Sequence, residues 1–400
     1  MFFFKKKKTE EKKQPLGLYV HIPFCIRKCN YCDFLSAPAT DEVKEQYVTA
    51  LCQEIKSYEE QGKGYFLATV YFGGGTPSVL QTEQLERIME TIRATFSMEE
   101  GQAELTIEVN PGTVTKESLS AFRKMGFNRL SVGVQSAKKE ELELLGRIHT
   151  FEDAKQCVKW AREAGFDNIS MDVISALPKQ SSEDYKETLE AVLSLQPEHI
   201  SSYSLIIEEA TPFYEKYAEG KELEQELPDE DTDRAMYAYT KERLKKAGYE
   251  RYEISNYAKP GFESRHNSSY WTGREYLGVG LGASSLFTNA RYHNEMNLQE
   301  YIRQVTAGED VRREMERLVE AEKMEEFMIL GLRRMCGISK AEFKERFGCA
   351  IETVYGPAIR KLEAQGLLKE QGDTIALTEL GIDVSNQVFI EFIPEDFVRR

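Results

Sequence analysis

Residues 17–34 read Gly-Leu-Tyr-Val-His-Ile-Pro-Phe-Cys-Ile-Arg-Lys-Cys-Asn-Tyr-Cys-Asp-Phe. The first half of this stretch is an apolar run that predicts a β-strand. The second half is a short loop in which Cys25, Cys29 and Cys32 follow a CxxxCxxC spacing. We therefore expect a buried strand that delivers three thiolates to one place.

The cysteine loop is short of ligands for a closed structural zinc site. Structural zinc takes four protein ligands, and the residues that follow the last cysteine are Asp33, Phe34 and Leu35. Three thiolates can instead hold three irons of a [4Fe–4S] cubane and leave the fourth iron open. The spacing therefore favours an iron–sulfur cluster with one open iron over zinc.

Composition and charge limit the class of protein. The chain has 400 residues, 41% of them hydrophobic and 30% charged, so it can bury a large core in two or three domains. Its net charge of −15 argues against a nucleic-acid-binding surface, and we expect no nucleic-acid partner. The other cysteines stand singly, which is typical of free thiols in a reducing cytoplasm; they are Cys52, Cys157, Cys336 and Cys349.

The N-terminus is predicted to be a disordered basic tail over residues 1–14. Its phenylalanines precede its lysines, which is the reverse of the order in a secretory signal. No apolar run in the sequence approaches the ~20 residues of a membrane span. The lysines can touch an anionic lipid surface, but a solvated tail is the favoured interpretation. Peripheral membrane contact and a homodimer stay open, and the expected location is cytoplasmic.

Strands alternate with helices between residues 15 and 208. Six strand–helix units predict a parallel sheet with crossover helices. The chemically unusual residues follow strand ends, where barrel enzymes build their sites, so we expect a partial six-stranded (β/α)6 barrel rather than a doubly wound sheet. Thr150 and Asp153 form a predicted capping box at the start of one helix. Beyond the first strand, the predicted strands span residues 68–72, 104–109, 129–134, 168–174 and 199–205.

The alternation stops after residue 208. Residues 209–335 are expected to form an α+β extension, in which residues 249–257 have a strand-like pattern. Residues 336–400 follow the order helix, helix, strand, strand, which predicts a winged-helix-like module. Winged helices often bind DNA, but residues 337–400 carry 11 acidic and 8 basic residues. We therefore expect the module to serve packing or protein contact.

Polar residues at the predicted strand ends are candidates for ligand binding. The glycine run at 73–75 lets the backbone approach a ligand closely, although a tight turn needs glycine as well. Glu108 can pair with an amino group or a ribose hydroxyl, or it can be a solvated acid. Asp172 lies in an apolar run, where an unpaired carboxylate is costly to bury. Gln135 and Arg147 occupy similar positions.

The cysteine loop and the glycine run together resemble the signature of the radical S-adenosylmethionine (SAM) superfamily. In that superfamily the amino and carboxylate groups of SAM chelate the open iron of a [4Fe–4S] cluster. The resemblance implies that Cys25, Cys29 and Cys32 ligate such a cluster. It also implies that Gly74, Gly75 and the residue after them lie against the methionine part of SAM.

A closer resemblance, over roughly residues 17–390, is to the oxygen-independent coproporphyrinogen III oxidases and their relatives. Five motifs occur in the order seen there: Tyr-Val-His-Ile-Pro-Phe-Cys, Phe-Gly-Gly-Gly-Thr-Pro-Ser, Glu-Val-Asn-Pro, Ser-Val-Gly-Val-Gln-Ser and Leu-Gly-Arg-Ile-His. Ala176 and Ala210 stand where those families usually carry glycine. The resemblance implies SAM contacts from Tyr19, Tyr31, Gly74, Gly75, Thr76, Glu108, Gln135, Arg147 and Asp172.

Two features separate the oxidases from their relatives. The oxidases carry a further cysteine two residues after the third, and here that position is Phe34. The segment His266-Asn267-Ser268-Ser269-Tyr270-Trp271 matches the HNxxYW signature of the haem-chaperone branch, HemW. A histidine beside aromatic residues can supply an imidazole to haem iron and apolar area to a porphyrin, although taken alone such a histidine is more often a packed residue.

The resemblance implies a haem chaperone that carries a [4Fe–4S] cluster and SAM and passes haem to an unidentified acceptor protein. His266 is the candidate haem residue, while His21 and His149 receive no role. The alternative is an oxygen-independent coproporphyrinogen III oxidase, a radical SAM oxidoreductase that decarboxylates a porphyrinogen. Phe34 and the HNxxYW signature favour the chaperone. Enzymatic activity is therefore the less favoured expectation.

Overall fold

The computed structural model describes residues 13–98 and 101–393. Lys13 aside, the lysines of the predicted basic tail lie outside the described residues, as does the end of the predicted C-terminal module. The N-terminal half alternates strands and helices: β1 (Gln14–Ile22), α1 (Asp41–Ser57), α2 (Glu59–Gly62), β2 (Tyr65–Gly74), α3 (Thr82–Thr95), β3 (Ser97–Met98), β4 (Glu104–Val109), α4 (Lys116–Lys124), β5 (Arg129–Gln135), α5 (Lys139–Leu145), α6 (Phe151–Glu163), β6 (Ile169–Ser175), α7 (Ser182–Ser194) and β7 (His199–Ser204).

Six long parallel strands form the partial barrel that the sequence predicts. They pair in the order β1-β2-β4-β5-β6-β7, with the short β3 beside β2. Strands that follow one another in the chain are therefore neighbours, and their carboxyl ends share one edge. Each strand is joined to the next by at least one helix, as parallel pairing requires.

Alternation along β5 shows how the barrel is layered. Leu130, Val132 and Val134 are fully buried in the hydrophobic core between the sheet and the helices. The intervening residues Arg129 and Ser131 line a cavity inside the barrel. Since successive side chains of a strand point to opposite faces, the sequence Arg-Leu-Ser-Val-Gly-Val-Gln places its apolar residues outward and its polar or small residues inward.

The predicted capping box is confirmed. The Thr150 hydroxyl accepts a hydrogen bond from the Asp153 backbone N–H at 3.3 Å, and the Asp153 carboxylate accepts one from the Thr150 backbone N–H at 2.7 Å. Together these bonds satisfy two backbone donors at the start of α6. The helix ends before Gly165, whose φ is +90°.

The extension widens the barrel sheet on both sides. The short strands β9 and then β8 add antiparallel beside β7, while β10 adds parallel beside β1 and is followed by β11, β12 and β13. The described residues thus form one 13-stranded sheet. Its elements here are α8 (Pro212–Tyr217), α9 (Glu230–Lys246), β8 (Glu250–Arg251), β9 (Asn256–Ala258), α10 (Arg265–Trp271), β10 (Tyr276–Val279), β11 (Ser284–Phe287), β12 (Ala290–Asn294), α11 (Leu298–Ala307), β13 (Arg312–Arg317) and α12 (Glu320–Gly331).

The strand-like pattern over residues 249–257 is not one strand. The segment folds into β8 and β9, which pair with each other in antiparallel fashion. Glu253 explains the break, because its buried carboxylate accepts hydrogen bonds from the Ser255 backbone N–H at 2.9 Å and from the Asn256 side chain. These local bonds hold a turn in which the backbone reverses direction.

The C-terminal module has its own small sheet and core. Its three strands pair in the order β14-β16-β15, and buried side chains such as Phe343, Ile351 and Leu362 pack with Met328 of α12. No helix in the described part of the chain is long and apolar enough to span a membrane. The module consists of β14 (Ile338–Ser339), α13 (Lys340–Phe347), α14 (Ile351–Ala364), β15 (Leu368–Gln371), β16 (Thr374–Leu377), α15 (Glu379–Asp383) and α16 (Ser385–Ile390).

Candidate functional site

The cysteine loop lies over the carboxyl ends of the barrel strands. The Cys25 backbone N–H donates to the Ala37 carbonyl at 3.2 Å, which closes the loop on itself. Asn30 ties the loop to the chain after β5, because its backbone N–H donates to the Leu145 carbonyl at 2.9 Å and its side chain to the Leu144 carbonyl at 2.8 Å. The loop is therefore held against the barrel from two directions.

The three predicted ligand cysteines face one recess. Cys25, Cys29 and Cys32 are partly exposed and all line a cavity of about 160 Å³. The Thr76 hydroxyl lies 3.6 Å from the Cys25 Sγ, and Arg147 Nη1 lies 3.6 Å from the Cys29 Sγ. Both groups are hydrogen-bond donors, and donors to sulfur are among the features that tune iron–sulfur clusters.

The donor set fits a cluster better than a single ion. Within the described residues, no three His, Cys, Asp or Glu side chains come close enough together to hold one metal ion. A cubane makes a different demand, since each thiolate binds its own iron and the sulfurs stand farther apart. Three cysteines around one shared recess meet that demand.

The glycine run packs tightly under the cysteine loop. The Gly75 backbone N–H donates to the Ile22 carbonyl at 2.9 Å, and a Cβ at Gly75 would lie 2.6 Å from the Phe24 carbonyl oxygen. Gly74 has a φ of +106°, and a Cβ there would lie 2.4 Å from the His21 ring. Side chains at these two positions would force the loop away from β2.

His21 supports this packing. Its Nδ1 lies 3.0 Å from the Tyr19 hydroxyl and its Nε2 lies 2.9 Å from the Leu35 carbonyl. Both ring nitrogens therefore have partners between β1 and the end of the cysteine loop. Tyr19 itself does not line the recess, but its ring stacks on Tyr71 with centroids 6.3 Å apart.

Glu108 and Asp172 bring two carboxylates into the barrel below the recess. Glu108 accepts hydrogen bonds from the Tyr71 hydroxyl at 2.7 Å and the Gly74 backbone N–H at 3.2 Å. Burial raises its pKa to about 7, and the nearby Asp172 carboxylate contributes. Burial likewise raises the pKa of Asp172, which accepts a 3.4 Å hydrogen bond from Ser131. Burial disfavours the ionised form of both acids, and a cationic ligand group at this depth would favour it.

Arg147 and Gln135 complete the wall of the recess. Arg147 Nη2 donates to the Gly133 carbonyl at 2.6 Å, whereas its buried Nε has no hydrogen-bond partner in the part of the chain that the structure describes. Gln135 has a φ of +67° at the end of β5. A non-glycine residue in the left-handed region is strained, and such strain concentrates at binding sites.

Nearly all the residues that the sequence singled out meet here. The recess is lined by the three cysteines together with Tyr31, Gly74, Gly75, Thr76, Glu108, Gln135, Arg147 and Asp172. Of the predicted SAM contacts, only Tyr19 does not line the recess. Residues from four strands and from the loop after β1 therefore converge, because the carboxyl ends of these strands share one edge of the sheet.

A larger cavity of about 360 Å³ continues from the recess into the barrel. Sequence reasoning missed several of its residues. Among the described residues, Arg129 at the start of β5 is the largest fully buried side chain. Its alternation with Ser131 and Gly133 was the available signal. Asn267, from the HNxxYW segment, lines the same cavity. Ser170 and Ser201 add two small polar walls.

His266 lies apart from the recess. It belongs to α10, is 1% exposed, and has Thr69 Oγ1 2.8 Å from Nδ1 and the Tyr270 hydroxyl 2.8 Å from Nε2. Its ring stacks on Tyr71 with centroids 5.1 Å apart. Burial lowers the pKa of His266 to about 3, so the ring is neutral. Both nitrogens are occupied, so in this arrangement neither is free to bind haem iron.

The helix that carries His266 closes the amino-terminal end of the barrel. The backbone N–H groups of Arg265 and His266 each donate to the Glu104 carboxylate at 2.9 Å, and Glu104 is the first residue of β4. On the far side, the Arg333 guanidinium lies 4.6 Å from the Trp271 ring centroid. The HNxxYW segment thus contacts both the amino-terminal end of the barrel and the chain just before the C-terminal module.

Comparison with known proteins defines the class. The profile of the Radical SAM superfamily matches residues 19–192, and that of the HemN C-terminal domain matches residues 318–384. The solved structure of Escherichia coli coproporphyrinogen III oxidase (HemN), described as a radical SAM enzyme, is similar with a TM-score of 0.84 and 27% identity, over 95% of this chain and 90% of that one. The chain is a radical SAM protein, which implies a [4Fe–4S] cluster and SAM.

Curated relatives narrow the class to one family. A heme chaperone HemW of Lactococcus lactis is 37% identical over 96% of this chain and 99% of its own length. A heme chaperone HemW of Bacillus subtilis is 34% identical over 94% of this chain and 99% of its own length. The chain belongs to the HemW family of haem chaperones.

Proposed function

We propose that this protein binds haem and transfers it to an acceptor protein, while carrying a [4Fe–4S] cluster and SAM. The recess supports the proposal that the protein holds a cluster and SAM. In it, three thiolates face the same cavity as a glycine run, two carboxylates and a guanidinium. Family membership supports the haem part, because similar proteins of this length are named as heme chaperones.

The recess residues divide into three roles. Cys25, Cys29 and Cys32 hold the cluster, and a cluster with an open iron supplies SAM with a metal to chelate and an electron source. Arg147 pairs with the SAM carboxylate, since its guanidinium is a strong partner for that group. Glu108 or Asp172 then takes the amino group or the ribose hydroxyls.

The remaining SAM contacts are proposed from their positions. The backbone at Gly74 and Gly75 and the hydroxyl of Thr76 face the methionine part of SAM, because they adjoin the cysteine loop. Gln135 and Tyr31 flank the adenosine side. Tyr19 acts through its stacking on Tyr71 and its bond to His21.

His266 is proposed to support haem binding indirectly. Its hydrogen bonds and its stacking on Tyr71 fix α10, and α10 carries Asn267 into the large cavity. The axial ligand of haem is then another residue or an external group. An indirect role is consistent with the position of the HNxxYW segment, which lies outside the six strand–helix units.

Partners and location remain predictions of the sequence. We propose that residues 336–400 contact protein, because acidic residues outnumber basic ones there. Contact of residues 1–14 with an anionic lipid surface, a homodimer and a cytoplasmic location are compatible with this function. Residues 1–12 lie outside the described part of the chain.

The second candidate function is oxidative decarboxylation of coproporphyrinogen III. The likeness to E. coli HemN over nearly the whole chain favours it, and so does the cavity of about 360 Å³ beside the recess. Phe34, at the position of the fourth cysteine of the oxidases, argues against it. So does the HNxxYW segment.

One sample decides between the two functions. The protein is reconstituted anaerobically with iron and sulfide, then titrated with haem and assayed for coproporphyrinogen conversion. Haem uptake without conversion supports the chaperone, and conversion without haem uptake supports the oxidase. A Cys32→Ala variant of the same preparation shows whether either activity needs the cluster.

A further inference from the structure

A second glycine-rich segment lies at the same edge of the sheet as the recess. β10 pairs in parallel with β1, so the turn at residues 280–282, which follows β10, lies beside the end of β1. Gly280 and Gly282 have φ values of +99° and +61°. A Cβ at Gly280 would lie 2.7 Å from the His21 carbonyl oxygen, and one at Gly282 would lie 2.6 Å from the Leu35 Cδ2. The turn therefore packs against the chain on both sides of the cysteine loop.

Glu54 of α1 anchors this turn. It is 4% exposed, and its carboxylate accepts hydrogen bonds from the Gly280 backbone N–H at 2.8 Å, the Asn294 amide at 2.7 Å and the Tyr301 hydroxyl at 2.5 Å. The Asn294 amide also donates to the Gly280 carbonyl at 2.9 Å. Three donors thus converge on the two oxygens of one carboxylate. A glutamine side chain, with one oxygen and one donor group, cannot satisfy all three.

A second residue of α1 connects the turn to β1. The Tyr47 hydroxyl donates to the His21 carbonyl at 2.6 Å and accepts from the Leu281 backbone N–H at 3.0 Å. The His21 ring contacts the Leu35 carbonyl at 2.9 Å. Hydrogen bonds and the backbone of the turn therefore connect Glu54 to the end of the cysteine loop.

The burial of Glu54 is costly, and the recess does not account for it. Burial raises the pKa of Glu54 to about 7, so its three donors do not fully replace the water that a carboxylate loses. Glu54 does not line the recess. Within the described residues, its carboxylate bonds only to the turn and to the two side chains next to it. The position of the turn is therefore what this acid controls.

We infer that Glu54 is a positioning residue for the iron–sulfur cluster, because it fixes the turn at 280–282 and the turn fixes the end of the cysteine loop at Leu35. The inference rests on the cluster that is part of the proposed function. A loosened turn lets the loop move away from β1, and the three thiolates then lose their common spacing. A cluster held by such a loop is released faster, although all three of its cysteines are present.

The rate at which a chelator removes iron from reconstituted protein measures how firmly the loop holds the cluster. Cluster-loaded protein is mixed anaerobically with excess EDTA at a fixed temperature well below its Tm. We expect Glu54→Gln to speed iron release by about tenfold, because at least one buried donor loses its acceptor. Tyr301→Phe keeps the carboxylate and removes one of its three donors, so it should speed release by about threefold. This milder variant provides the test if Glu54→Gln does not fold.

Two control variants separate positioning from a general loss of stability. Tyr239→Phe removes a hydrogen bond of 2.8 Å to Glu190 on an exposed part of the surface, and it should leave the release rate unchanged. Val192→Ala opens a cavity beside α7, where the valine is fully buried. It should lower the Tm and leave the release rate unchanged, because α7 packs on β6 and α9 and not on the turn.

A double-mutant cycle tests whether Glu54 acts through Leu35. Leu35→Ala should itself speed iron release, because it removes the side chain on which the turn packs. In that background Glu54→Gln should add less than about twofold, since both substitutions break the same connection. Tyr301→Phe should likewise lose most of its effect in the Leu35→Ala background.

The outcomes separate this inference from the function beneath it. Failure of the unaltered protein to take up a cluster overturns the proposed function and this inference together. A normal release rate in Tyr301→Phe and in any folded Glu54→Gln overturns the inference alone. Equal acceleration in Val192→Ala, or full additivity with Leu35→Ala, also overturns it, since Glu54 is then only a general stabiliser of the fold.

Discussion

The two ends of the barrel are built from the same strands but in opposite ways. At the carboxyl end, the cysteines are partly exposed and the backbone holds left-handed residues at Gly74 and Gln135. At the amino end, α10 covers the strands, and both nitrogens of His266 have partners. The open end has room and an unpaired Arg147 Nε, while the closed end is covered and both nitrogens of His266 are satisfied, although Trp271 Nε1 on the same helix has no partner among the described residues.

This difference separates two kinds of sequence signature. CxxxCxxC and the glycine run mark groups that face a cavity, so their chemistry is available to a ligand. HNxxYW is equally specific as a pattern, yet its histidine and tryptophan are engaged with Thr69, Tyr270 and Arg333. A family signature can therefore mark residues that hold structural elements together as well as residues that face a bound ligand.

Removing the cysteines should have the largest effect. Alanine at any one of Cys25, Cys29 or Cys32 is expected to abolish cluster incorporation, because a cubane held by two thiolates loses a protein ligand. Iron and sulfide content after anaerobic reconstitution measures the loss. Cys336→Ala is the matched control and should incorporate a normal cluster. A normal iron content in the triple variant would rule out this ligand set.

Arg147→Ala should weaken SAM binding by about 30-fold or more, the cost of removing one partner of a desolvated charge pair. Cluster content should stay intact, since the arginine contacts the Cys29 sulfur only as a donor at 3.6 Å. Calorimetric titration of reconstituted protein measures the affinity. Arg162→Ala, outside the recess, is the control. Unchanged SAM affinity in Arg147→Ala would remove Arg147 from the site.

The buried acids should make SAM stabilisation depend on pH. The Glu108 carboxyl loses its proton near its ordinary pKa of 4.5 in the unfolded chain but near 7 in the folded chain. Between these values the folded state binds more protons, so stability of SAM-free protein falls as pH rises, by at most about 1.4 kcal/mol per pH unit. A bound SAM cation relieves this cost.

The increase in Tm caused by SAM is therefore expected to grow as pH rises toward about 7, where Glu108 ionises. Glu108→Gln should reduce the growth and leave a remainder from Asp172, whose pKa burial also raises. Thermal unfolding with and without SAM across this pH range measures the effect. An identical pH profile in Glu108→Gln would contradict the role of this carboxylate.

A substitution at the closed, amino-terminal end of the barrel should have a smaller effect on ligand affinity. His266→Ala removes the partner of two buried hydroxyls and the stacking on Tyr71, so it should lower stability by about 2–4 kcal/mol. Haem affinity should fall by several-fold, with cluster and SAM retained, because the histidine acts through α10. Haem titration and urea unfolding measure the two effects. His293→Ala is the control. Equal haem affinity in the two variants would show that His266 does not contribute to haem binding.

The smallest expected effect concerns backbone strain at the open end. Ala176, just after β6, has a φ of +57°, a conformation that costs a residue with a Cβ about 1–2 kcal/mol. Ala176→Gly should therefore raise the free energy of unfolding by about 1 kcal/mol. Ala154→Gly, inside α6, should lower it by a similar amount. A loss of stability in Ala176→Gly would show that the strain is compensated by packing.

Much of the barrel could be predicted because its signals are local. Strand–helix alternation, the Thr150 capping box and the position of each polar residue at a strand end are visible in short windows of sequence. Their convergence then follows from parallel topology, which is why the predicted site residues meet in one recess. The hairpin at residues 249–257 could not be predicted, since it depends on where the Glu253 carboxylate finds its donors.

The sequence by itself determined the cysteine loop and the parallel order of the strands, because spacing and periodicity encode them. The full set of residues around the recess was implied by the resemblance to a known family. Only the tertiary structure decided which side chains are left with free bonding capacity. Both nitrogens of His266 have partners because the fold brings Thr69 of β2 to α10, while Tyr270 lies one turn along the same helix. Hydrogen-bond satisfaction depends on neighbours in space, and those neighbours are set when α10 closes the barrel.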